Sequence, residues 1–231
     1  MIAPKQLIKI FLFLIPLNGF SQEKLSIIDK SLLPVEFQYK GDFLICINWQ
    51  DLLGSNYLIL SQSKFIKPEI AIEASKKYQL MTYNGRTDTV YDIEADYREK
   101  ELYAYHYVQK DDSIFLLWKI LDFEKDCPYD LTLEYLTKKP VITDKDGDGI
   151  CETWLIYWLG CRSDVSAINM KLIMHEGRNK YAIRGTRKIR YGSEPDQVDG
   201  GIMKKDDSFD KLPQVIVDFA VDLWAKYNNE N

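Results

Sequence analysis

Residues 143–159 read Thr143-Asp144-Lys145-Asp146-Gly147-Asp148-Gly149-Ile150-Cys151-Glu152-Thr153-Trp154-Leu155-Ile156-Tyr157-Trp158-Leu159, an acidic, glycine-rich loop running straight into an aromatic and β-branched segment. The loop decides the chemistry and the segment after it decides the fold. Asp144, Asp146 and Asp148 alternate with other residues and offer hard oxygen donors, which suit Ca²⁺ better than a soft transition metal. In the 12-residue helix–loop–helix calcium site, side chains ligate from positions 1, 3 and 5, a carbonyl from 7, position 9 often through water, and a bidentate Glu from 12. Counted from Asp144, Gly149 falls at 6, Ile150 at 7 and Glu152 at 9, but position 12 is Leu155, which cannot ligate. No helix follows either, because Thr153–Leu159 has strand composition. The expected ligands are therefore the side chains of Asp144, Asp146, Asp148 and Glu152 with the Ile150 carbonyl, at the head of a β-strand. The competing reading is a solvated turn whose acids keep an edge soluble. Three carboxylates within five residues repel one another without a cation, which favours the metal.

An Asp-x-Asp-Gly-Asp-Gly-x-x-Glu loop entering a strand resembles the calcium loops of FG-GAP-type repeats in integrin-like β-propellers, where the ninth-position carboxylate completes the site. The resemblance covers about ten residues in one copy, so it implies a structural calcium site and not a whole propeller.

The N-terminus reads as an export signal over residues 1–21. Lys5 and Lys9 precede the apolar run Ile10–Leu17, which is too short to span a bilayer, and Gly19 and Ser21 occupy the small positions of a cleavage site. The expected mature chain starts at Gln22, has no transmembrane anchor, and resides in a periplasm or outside the cell. Loss of two lysines and no acid would take the net charge from −5 to about −7. That balance argues against nucleic acid and against anionic headgroups as partners.

Four cysteines in an exported chain permit disulfides. If the acidic loop caps a hairpin between Asp130–Leu136 and Thr153–Leu159, residues facing each other sum to about 288, as Cys127 and Cys161 do. That pair is the expected disulfide. Cys46, inside an apolar run, and Cys151, a poor ligand for a hard cation, are expected to stay thiols.

Residues 22–231 offer enough apolar mass for a single β-rich domain. Strand signals recur over Phe43–Trp49, Asn56–Ser61, Tyr78–Thr82, Thr87–Tyr91, Glu101–Gln109, Ser113–Asp122, Asp130–Leu136, Thr153–Leu159, Asn169–His175 and Lys180–Gly185. Short, turn-rich connections, Asn84-Gly85 among them, favour hairpins over βαβ crossovers. Over residues 212–227, Leu212, Val215, Ile216, Phe219, Leu223 and Trp224 recur at helical spacing with Pro213 at the start. Polar Arg190–Asp210 reads as a mobile loop. The fold class is thus mainly β: an antiparallel meander or sandwich-like sheet with a calcium-loop hairpin and a C-terminal α-helix.

No catalytic constellation stands out. His106 shares a strand face with Leu102, Ala104 and Val108 and reads as a core histidine. Tyr103, Tyr105 and Tyr107 on the other face suit either sugar stacking or an ordinary half-buried surface. No serine has a nucleophile-elbow context. Glu152 and Asp164 are the conceivable glycosidase pair, although Glu152 is better used on calcium.

Read together, Cys127-Pro128-Tyr129-Asp130-Leu131-Thr132, Ile142–Glu152, Cys161-Arg162-Ser163-Asp164-Val165-Ser166, Met170–Gly177 and Lys180–Gly185 resemble a family of exported flavobacterial proteins labelled surface polysaccharide biosynthesis proteins. The resemblance is best over residues 100–185. It implies a role in lipopolysaccharide or another surface glycan and names no reaction. Taken with the export signal, the calcium loop and the lack of catalytic groups, the expectation is a non-enzymatic, calcium-binding envelope protein with an envelope glycan or an exported protein as partner. Two other readings stay open. One is a periplasmic, immunity-type inhibitor of a cell-wall hydrolase that inserts Arg190–Asp210 into its partner; the other is a glycan-active enzyme.

Overall fold

The computed structural model describes residues 25–66, 79–83, 86–90, 97–193 and 197–230. The expected export signal and the Asn84-Gly85 turn lie outside them. Alternating apolar residues give strands whose two faces separate cleanly. In β2 (Asp42–Asp51), Ile45, Ile47 and Trp49 enter one core while Cys46 between them enters another. β1 (Ser26–Ile28), β2, β3 (Gly54–Gln62), β6 (Arg98–Lys110) and β7 (Ser113–Cys127) form a first antiparallel sheet in that order. Between β3 and β6, β4 (Gln79–Tyr83) pairs with β5 (Arg86–Val90).

The second sheet is also antiparallel. Its centre is β10 (Glu152–Arg162), flanked on one side by β11 (Asn169–Glu176), β12 (Asn179–Thr186) and β15 (Met203–Lys205). On the other side β8 (Asp130–Tyr135) and then β9 (Val141–Thr143) pair with successive halves of β10. The two sheets bury their facing surfaces against each other. Ile45, Leu58, Leu60, Leu102 and Ile120 meet Leu133, Leu155, Leu159, Ile173 and Ala182. The first sheet's outer face is roofed by the segment around Phe37, and the second sheet's by α1 (Gln214–Tyr227).

Several expectations are adjusted by this packing. The tyrosine stripe is no sugar platform, since all three rings are buried. The Tyr107 hydroxyl donates to the Gln38 carbonyl at 2.6 Å, and the Tyr105 hydroxyl accepts from the Lys40 amide at 3.1 Å. Each phenol thus meets the roof with an apolar ring and a satisfied polar tip. In α1, which begins after Pro213, Ile216, Val217, Ala220, Leu223 and Trp224 are buried, whereas Val215 is 46% exposed. Leu212 and Phe219 pack against the same core, so the expected stripe stands but for Val215 and widens to take in Val217 and Ala220.

Arg190–Asp210 is not a bare loop either. β13 (Lys188–Arg190) pairs with β14 (Val198–Asp199) and with β16 (Asn229–Glu230), while β15 extends the second sheet. Strands of two or three polar residues carry no periodicity by which to find them. Finally, Cys161 faces Leu131 and Tyr157 faces Tyr135, so the β8–β10 register lies four residues from the expected one. β9 accounts for the difference, because it occupies the half of β10 nearest the acidic loop. The Cys127–Cys161 disulfide forms all the same, with Cα atoms 5.5 Å apart. Cys127 ends β7 and Cys161 lies in β10, so the bond staples one sheet to the other. Cys46 and Cys151 are buried thiols, and burial pushes the Cys46 thiol up to about 12.

Both histidines lie between the sheets. His106 sits 5.1 Å from each of Trp49 and Trp118, and Trp118 stacks on His175 at 4.0 Å. His106 Nε2 is 2.9 Å from Asn56 Oδ1. Burial, reinforced by His175, takes His106 down to about 3, so it is neutral at pH 7.

Candidate metal centre

The acidic loop spans the gap from β9 to β10 and folds on its own carboxylates. Asp144 Oδ2 accepts from the Gly149 amide at 3.2 Å, and Asp148 Oδ1 from the Ile150 amide at 2.7 Å. Gly147 and Gly149 have φ of +75° and +85°, the left-handed region in which a side chain is strained. Those two turns bend the chain enough for carboxylates from alternate positions to converge.

Asp144, Asp146 and Glu152 present oxygens within 4.8 Å of one another, a group that could hold a metal ion. Asp148 joins a second group with Asp146 and Glu176, so Asp146 is common to both. Of the expected carboxylate ligands, Asp144, Asp146 and Glu152 thus fall in the first group and Asp148 in the second. Glu176 is the residue that sequence reasoning missed. It ends β11, and the β10–β11 register sets it directly opposite Glu152. The two strands were expected, over Thr153–Leu159 and Asn169–His175, but only their register, Thr153 opposite His175, places the two glutamates side by side.

Like charges directly opposite each other on neighbouring strands destabilise a sheet unless something neutralises them. Burial pushes Glu176 up to about 7, and Asp146, Asp148, Glu152 and Asp144 reinforce the shift. Glu152 is also raised, burial outweighing its hydrogen bonds. Those bonds come from the Thr143 hydroxyl at 2.5 Å and the Lys145 amide at 2.8 Å. Asp144 Oδ1 and Glu176 Oε1 are buried without a hydrogen-bond partner. Two orphaned carboxylate oxygens beside an all-oxygen cluster are what a hard cation would satisfy.

The loop is also a joint. The Leu52 amide donates to the Gly149 carbonyl at 2.9 Å, and the Cys151 amide to Asp51 Oδ2 at 3.2 Å. Both contacts tie the loop to the β2–β3 turn of the first sheet. On its other flank Lys145 Nζ lies 4.2 Å from the Phe219 ring centroid of α1. The Trp154 indole donates to Thr143 Oγ1 at 2.8 Å, fixing the residue that holds Glu152.

The other candidate pair is not assembled. Glu152 opens β10 and Asp164 lies beyond its far end, more than about 30 Å away at strand rise, whereas a glycosidase needs its carboxyls within about 10 Å. Asp164 is exposed, and its hydrogen bonds with Ser166 lower its pKa. Among the described residues no helix is long and apolar enough to cross a membrane. No family model, curated protein or solved structure matches the chain.

Proposed function

We propose that the chain is an exported, non-catalytic envelope protein, stapled by one Ca²⁺ in the loop from Asp144 to Glu152, that supports assembly or presentation of a surface polysaccharide. The observation carrying this reading is the position of the acids at a joint. The loop that brings them together also touches the first sheet through Asp51 and Leu52 and the helix through Phe219. A cation there would secure the meeting of three layers. Asp144, Asp146 and Glu152 would hold it, with Asp148, Glu176 and the Ile150 carbonyl completing a hard oxygen sphere. A catalytic metal needs an open position and nearby acid–base groups. Here Glu152 is enclosed by Thr143 and Lys145, and both histidines are committed to indoles in the core.

The polysaccharide half rests on the resemblance across residues 100–185 and takes an envelope glycan or an exported protein as partner. An inhibitor that inserts Arg190–Asp210 into a hydrolase finds less support, since β14 and β15 hold parts of that segment in sheets. A glycan-active enzyme finds less support as well, with Glu152 and Asp164 at opposite ends of β10. A deletion strain tests the envelope role. Altered surface-glycan banding on gels is expected, and unchanged banding would remove it. Calcium dependence of the melting temperature tests the staple separately.

A further inference from the structure

The second sheet continues past the edge of the first, and the step between them has the shape and charge of a strand-binding ledge. Trp118 of β7 stacks on His175 of β11, and Lys171 of β11 reaches Asp122 of β7 at 2.6 Å. β7 therefore runs along the top of β11, with the inner faces of β12 and β15 beyond it. Ala182 faces the inter-sheet core, so by alternation Lys180 and Arg184 point to the same side. The register extends that face to Lys204, opposite Arg184. Lys171, Arg184 and Lys204 thus form one cross-strand row of cations, an arrangement that favours anions above it. Asp122 and Asp206 meet the first two, while no carboxylate of the described residues pairs with Lys204. The row stands in a chain of net charge −5, so it is no reflection of a generally basic protein.

The wall of the ledge is β7 itself. Among the described residues β7 pairs with β6 on one side and with no strand on the other. Its Leu117 carbonyl accepts from the Arg178 guanidinium at 3.1 Å, so a polar group of this edge already takes a donor from the second sheet's side. On the opposite face of β7, Leu121 and Phe123 are 53% and 48% exposed.

We propose that the ledge is an interaction site for an extended acidic peptide segment of another protein. The segment adds to β7 as a strand, sets one carboxylate over the Arg184–Lys204 pair, and places the flanking apolar side chains beside Leu121 and Phe123. Strand addition draws affinity from main-chain hydrogen bonds and specificity from alternate side chains. Face-packed sheets lie about 10 Å apart, a gap that a Glu above and a Lys or Arg below span between them. A second copy pairing through its own β7 would bring its own β12 and β15 into the same space, so the ledge admits a single strand and not another sandwich edge. The site uses none of the loop acids and needs no cation there.

The test uses the whole processed chain and a fluorescent, end-capped peptide of alternating Val and Glu. Binding is expected, weakened about tenfold by Lys204→Glu, by Leu121→Lys, or by Lys in place of Glu in the peptide. N-methylation of one alternate set of peptide amides should abolish binding, and methylation of the other set should leave it. Unchanged melting temperatures of the two exposed-site variants would confirm that folding is not what they lose. Absence of binding, or equal binding of both methylated peptides, would overturn the proposal. So would protection from hydrogen exchange, in the free monomer, of the alternate β7 amides that point away from β6, which would mean that the chain covers its own edge. A free protein that dimerises and is made monomeric by Leu121→Lys would assign the edge to a second copy instead.

Discussion

Glu176 carries the sharpest residue-scale consequence, because its effect reverses with the cation. Without calcium it faces Glu152 across two strands, so Glu176→Gln should raise stability in EDTA by about 0.5–1 kcal/mol. With calcium the same change removes a ligand and should reduce the stabilisation that calcium gives. Paired thermal melts of wild type and variant in both buffers check the crossing, and parallel shifts of one sign would refute it. His106 sets a second expectation. Its folded pKa is depressed to about 3, against about 6.5 when unfolded, so the unfolded chain takes the proton first as pH falls. The stability it contributes is full above pH 6.5 and is lost as pH falls toward 3, about 2 kcal/mol by pH 5. Urea midpoints at pH 7 and 5 should show the loss, and His106→Phe should lessen it. Asp144, Asp146 and Glu152 were legible in sequence because their spacing is local. Glu176 was not, being 24 residues from Glu152 and brought there only by strand register.

At the scale of elements, period-two alternation made nearly every long strand legible, since one face of each had to be buried. Register was another matter. A hairpin drawn simply around the acidic loop misses that β9 takes the first part of β10 and displaces β8 along it. The helix and most of its buried stripe were legible, Val215 excepted, because Val215 and Val217 are equally apolar and only the sheet beneath distinguishes them. The tyrosine stripe was half legible: alternation showed a shared face, but nothing local revealed the roof over it. The disulfide was reached through a register four residues off, and it joins β7 to β10 rather than closing the hairpin base. With its cysteines 34 positions apart in sequence, its reduction should cost about 3–4 kcal/mol. A denaturation curve in reducing buffer measures this. A midpoint unchanged on reduction would show that packing alone holds the sheets together.

Across the whole molecule, two devices join the layers. Cys127–Cys161 links the sheets covalently, and the acidic loop links the first sheet, the second sheet and α1 through Asp51, Glu152 and Phe219. On the function proposed above, calcium completes the second device. A Kd of about 10⁻⁴ M is ordinary for extracellular calcium modules, and about 10 mM calcium would then add ~2.7 kcal/mol by mass action. For a chain of this size that corresponds to a rise of about 5–10 °C in melting temperature. The most direct measurement is the melting temperature of the processed protein in EDTA, in 10 mM magnesium and in 10 mM calcium. A rise is expected in calcium alone, abolished by Asp144→Asn with Glu152→Gln; equal melting temperatures in EDTA and calcium would rule out the calcium staple.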